Sequence, residues 1–152
     1  MNKSYFFLLL FMAIFFAACS AVPKANTELD TQIKNLTPPS GKALVYILRP
    51  SSYGSMAVFN TTVNGEFLGS TGGKRYIYTI LKPGSYIFST KAENRKELPI
   101  VLEANQTYFL EQQVHMGIMS ARNKLVRIDE RDGRFKLQKC FLSDKNVYQG
   151  VE

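Results

Sequence analysis

Two cysteines and one histidine are the side chains in this sequence with the strongest claim to chemistry. Cys19 ends the run Phe16-Ala17-Ala18-Cys19, and Ala17 and Ala18 are small enough to let a peptidase reach the backbone beside it. Ala18 and Cys19 therefore read as the two sides of a candidate signal-peptide cut. Cys140 is flanked by Phe141-Leu142 and reads as a small buried apolar residue; a reactive or metal-binding thiol would need convergent partners. His115 is the single histidine, which excludes His-rich metal centres, and no serine or cysteine pairs with it by spacing to make a nucleophile and base.

Other polar groupings point to turns. Asp129, Glu130 and Asp132 precede Gly133 without the regular oxygen spacing of a calcium loop, and Glu103 and Glu111 give no clue to a carboxylate pair. Gly69-Ser70-Thr71-Gly72-Gly73-Lys74 superficially resembles a phosphate loop, but Arg75 stands where Ser or Thr belongs and no helical pattern follows. No cofactor or metal is called for. The aromatic residues are richer in promise: among the eight tyrosines, Tyr76 and Tyr78 are candidate ligand contacts, since a tyrosine offers a sugar ring both an apolar face and a polar tip. The formal charge is +7, yet the basic residues are scattered, with short groupings at Lys74-Arg75 and from Arg131 to Lys139, so no nucleic-acid stripe is expected. Anionic neighbours such as headgroups or acidic polymers fit that excess.

The elements that would position these residues begin with a leader. Lys3 is followed by an unbroken apolar run from Tyr5 to Ala18, which as a helix would span ~21 Å against a hydrocarbon core of ~30 Å. A permanent span is disfavoured and a signal peptide over 1–18 is expected. Phe16-Ala17-Ala18-Cys19 resembles the lipobox of bacterial lipoproteins, with Phe16 where Leu is usual. That resemblance implies a diacylglyceryl thioether on Cys19; three acyl chains at ~0.8 kcal/mol per methylene would contribute on the order of 30 kcal/mol of anchoring. Ser20 stands where an Asp would signal retention in the inner membrane, so outer-membrane residence facing the periplasm is expected.

Residues 19–41, with Pro23, Pro38, Pro39 and Gly41, read as a lipidated cysteine and a flexible linker spanning about 25 Å, within which a short helix over 27–36 would change little. From 42 the pattern becomes short β-rich runs: 43–48, apolar throughout; 56–63 and 66–70 around an Asn64-Gly65 turn; 75–81 and 86–91 around Lys82-Pro83-Gly84-Ser85, a type II turn signature; then 98–103, 107–115 and 125–128. A domain over 42–143, mainly β, is expected to be an antiparallel β-sandwich of about seven strands, with a short tail over 144–152. Residues 130–139 fit a short C-terminal helix capped by Asp129, although a turn and strand also fit and Gly133 weakens the helix.

Ala43 to Leu48, Val63-Asn64-Gly65 with Gly69, Leu81 to Tyr86, Leu102 to Asn105 with Thr107-Tyr108-Phe109, and Leu125-Val126 together resemble the domain of unknown function 2846 family. The resemblance spans roughly 42–142 and implies a small envelope lipoprotein with a sandwich similar to PEGA-type and transthyretin-like domains. It carries no catalytic residues, because its motifs are turn chemistry. The expectation is a non-enzymatic binding or scaffolding module, attached to the membrane through its N-terminal lipid and presenting loops or a sheet edge to an envelope protein. Recognition of a carbohydrate or glycolipid is the alternative.

Overall fold

The computed structural model describes residues 22–91, 95–116 and 121–144. Among the described residues the chain is mainly β, with nine strands in two sheets and two helices. In order these are α1 (Thr27–Lys34), β1 (Ala43–Arg49), β2 (Phe59–Val63), β3 (Glu66–Thr71), β4 (Arg75–Leu81), β5 (Gly84–Lys91), β6 (Arg95–Leu102), β7 (Thr107–Met116), β8 (Ala121–Ile128), α2 (Glu130–Gln138) and β9 (Phe141–Leu142). One sheet has the order β8-β7-β1-β4-β9 and the other β3-β2-β5-β6.

The unbroken apolar run of β1 is explained by its place at the centre of the larger sheet, buried at every position. Ala43, Val45 and Ile47 join a core shared by both sheets, packed with Val63, Leu68 and Phe88 of the smaller one. Leu44, Tyr46 and Leu48 point the other way and meet Ile33 of α1 and Leu137 of α2. There Tyr46 stacks on Phe109 with centroids 5.3 Å apart.

The larger sheet is mixed, where an antiparallel one was expected, and the strands number nine. β7 enters from β6 at the end where β1 begins, so it runs parallel to β1; β9 likewise lies parallel to β4. The run expected from Met56 starts as a strand only at Phe59, because the guanidinium of Arg49 holds the carbonyls of Gly54 and Ala57 in a loop. Asn64 and Gly65 both take positive φ, 49° and 88°, as the expected hairpin turn requires. Gly84 has φ 153°, far from the ~80° of a type II turn, so that turn takes another form that only glycine enters readily. The C-terminal helix forms, with the Asp129 side chain accepting from Asp132 N–H at 2.9 Å. The acidic cluster is thereby a helix cap.

The flexible linker expected over 19–41 does not describe its part from Val22 onward. α1 lies against the larger sheet, capped by Asn26, and Tyr46 donates its hydroxyl to the Ile33 carbonyl at 2.5 Å. Asp30 accepts from the Leu142 N–H at 2.7 Å and from the Lys34 ammonium at 2.8 Å. Val22 is buried as well, and its carbonyl accepts from Arg75 Nε at 3.0 Å. Among the described residues the folded unit therefore extends about 20 residues ahead of Lys42.

Candidate functional site

Ala18 and Cys19 lie outside the described residues. Tyr76 and Tyr78 fall on the face of β4 that the helices cover. Tyr76 has no exposed surface; its hydroxyl donates to the Asp30 carbonyl at 3.3 Å, and burial, then the Asp30 carboxylate, raise its pKa. Tyr78 is half-buried against the same cluster, and burial raises its pKa too. With α1 docked, Tyr76 cannot stack on a sugar. Cys140 is buried and free, and burial pushes its thiol up to about 12, so it remains an unreactive thiol at neutral pH. His115 is exposed near the end of β7. Among the described residues no three His, Cys, Asp or Glu side chains gather in a way that could hold a metal.

Among the described residues both helices pack on one side of the molecule, and none covers the outer face of β3-β2-β5-β6. Cross-strand register places Ile87 opposite Pro99 and Ser85 opposite Val101, and Phe67 opposite Thr62. Phe67, Ile87 and Val101 are 45%, 47% and 65% exposed, so the face carries an apolar strip. Two shallow depressions flank it. One of about 460 Å³ is lined by Ile87, Pro99 and Val101; the other, about 350 Å³, is lined by Phe67, Thr62 and Asn60 with the cations of Lys91 and Arg95. An exposed apolar patch rimmed by polar and charged groups is the usual form of a contact surface.

A third depression of about 400 Å³ lies where β6 meets the β7–β8 hairpin, lined by Lys96, His115, Arg122 and Lys124 with Glu97. Its charge can concentrate anions without fixing their identity.

Beneath these surfaces lies a polar part of the core that the sequence does not announce. Gln112 is buried between the sheets; its amide donates to Thr61 at 2.9 Å and Thr90 at 3.1 Å, while its carbonyl accepts from Thr71. Beside it Arg49 stacks over Phe59 at 4.1 Å and donates to carbonyls, with its Nε–H finding no acceptor among the described residues. Burial lowers its pKa to about 10, so it stays charged at neutral pH. Nothing local in the sequence marks Gln112; the signal for Arg49 is that it closes an otherwise apolar strand.

Residues 39–124 match the family described as Protein of unknown function (DUF2846). The chain belongs to this family. The match runs from just before β1 into β8, so the region shared with other DUF2846 proteins is the paired sheets and includes the bare face, whereas α1, α2 and β9 lie outside it. An uncharacterized protein of Haemophilus influenzae is 26% identical over 130 residues, covering 84% of this chain and 77% of that protein. No solved structure matches the chain.

Proposed function

We propose that this DUF2846 protein is a lipoprotein of the bacterial envelope, acylated at Cys19 and held in the outer membrane facing the periplasm, and that it acts without catalysis as a binding module. Its two sheets form a sandwich whose helix-free side is the binding side. The observation that carries this reading is the bare face of β3-β2-β5-β6, where Phe67, Ile87 and Val101 form an exposed apolar strip beside Lys91 and Arg95. The leader and its lipobox support the location. The occupant that suits such a face is a protein surface offering apolar side chains with carboxylates beside them, because apolar burial supplies affinity and Lys91 selects an acidic rim, joined by Arg95, which pairs with Glu97 of its own strand at 3.1 Å. A glycan finds less here, since Tyr76 is covered.

The test is site-specific photocrosslinking in intact envelopes, with the reactive side chain placed at Ile87, at Val101 and, as a control, at Phe135 of α2, which is 62% exposed. One protein is expected to crosslink from both sheet positions and not from the helix. Lys91→Glu with Arg95→Glu is expected to reduce that product severalfold, and exchanging a carboxylate of the crosslinked protein for Lys is expected to restore it. Capture of a glycan, or a product indifferent to the charge reversal, would overturn the reading.

A further inference from the structure

The chain is fixed to the domain from Val22 onward. The Val22 side chain is seated against Gly72, where a Cβ would lie 3.4 Å from it, and its carbonyl is held by Arg75. Lys24 bridges Ser143, and Ala25 N–H donates to the Leu142 carbonyl at 2.9 Å. Given acylation of Cys19, on which this inference rests, only Ser20 and Ala21 stand between the lipid-bearing residue and the docked chain. Three residues reach at most ~11 Å even when fully extended. A domain so attached cannot hang away from the bilayer.

The surface around that attachment has the composition of a membrane-contacting one. Gly72 and Gly73 pack on Ser55, which places the 50–58 loop beside Val22. That loop exposes Met56 at 69% and Tyr53 at 50%. Lys74 is exposed next to it, and its carbonyl accepts from Phe141 N–H at 3.1 Å. Lys24 lies 3.9 Å over the Phe141 ring, a partly exposed aromatic. Strand register puts the basic depression at the same end, since β1 ends there, and β7, parallel to it, runs on past it to His115. Tyr and Met at the level of the headgroups, with lysines on anionic lipid, is the arrangement that a bilayer surface selects.

We infer that this end of the molecule, centred on Val22 and formed by Tyr53, Met56, Phe141, Lys24 and Lys74, lies directly on the anionic surface of the membrane. The strands then stand away from the bilayer, with the Asn64-Gly65 and Lys82-Pro83 turns farthest out, and the bare sheet face opens sideways.

The test uses the full chain, isolated with its lipid and reconstituted in vesicles of phosphatidylethanolamine and phosphatidylglycerol. A nitroxide is placed by Met56→Cys or, at the opposite end, by Lys82→Cys; both positions are exposed, and buried Cys140 does not compete for the label. The label at 56 is expected to lose collisions with a water-soluble nickel chelate severalfold relative to the label at 82, and to gain collisions with oxygen. Mass analysis of the same sample reads Cys19. Acylated Cys19 with both labels equally open to the chelate would overturn the docked orientation and leave the lipoprotein reading standing. An unmodified Cys19 would overturn both.

Discussion

Gly133 stands inside α2, where alanine would favour the helix by ~1 kcal/mol. A Cβ there would lie 2.2 Å from Phe109 Cγ and 2.6 Å from Phe109 Cβ, both near the rigid base of a buried ring stacked on Tyr46. The ring cannot swing aside without emptying the core. Gly133→Ala is therefore expected to destabilise the protein by ~1–3 kcal/mol despite its better helix propensity, as overpacked cores do. Urea unfolding checks this, and a variant as stable as the parent would contradict the packing. The sequence shows that glycine only as a weak point in a helix, because the residue that demands it is distant in the chain. The same limit applies to Gln112, whose three threonine partners come from three different strands. Cys140 was legible, since its own neighbours in sequence are the apolar residues beside it.

Among the elements, α1 separates what local pattern tells from what packing decides. The sequence admits a short helix over 27–36, and one forms over Thr27–Lys34 with Asn26 as its cap. Its docking is invisible in the pattern, because only Asp30 and Ile33 are buried and an aspartate ordinarily reads as solvated. Asp30 joins α1 to β9 by accepting from Leu142 N–H and from Lys34. Asp30→Ala leaves a buried N–H and a partly buried ammonium without their acceptor, at an expected cost of ~1–3 kcal/mol. Hydrogen exchange is the measurement, with amides of α1 and β9 expected to exchange faster while those of β1 keep their protection; unchanged exchange in α1 would contradict the clamp. The β2–β3 hairpin and the strand Arg75–Leu81 were legible for a related reason: Asn64-Gly65 carries its own turn chemistry and the strand its own β-forming residues, although β4 and β5 prove to lie in different sheets. The parallel pairings of β1 with β7 and β4 with β9 were not, since partner choice across the chain leaves no periodic trace.

At the scale of the whole molecule, among the described residues one sheet is covered by helices and the other is bare, and one end carries buried Val22, the basic depression and the exposed Tyr53 and Met56. This asymmetry follows from α1 and α2 both packing on the larger sheet, and it gives the open face a fixed direction relative to Val22. Under the proposed acylation of Cys19, the burial of Val22 determines how short the attachment is. The most direct test is mass analysis of the mature protein extracted from membranes. The account predicts a chain that starts at Cys19 with a diacylglyceryl thioether on its sulfur; a different first residue, or Cys19 with a free thiol, would contradict it.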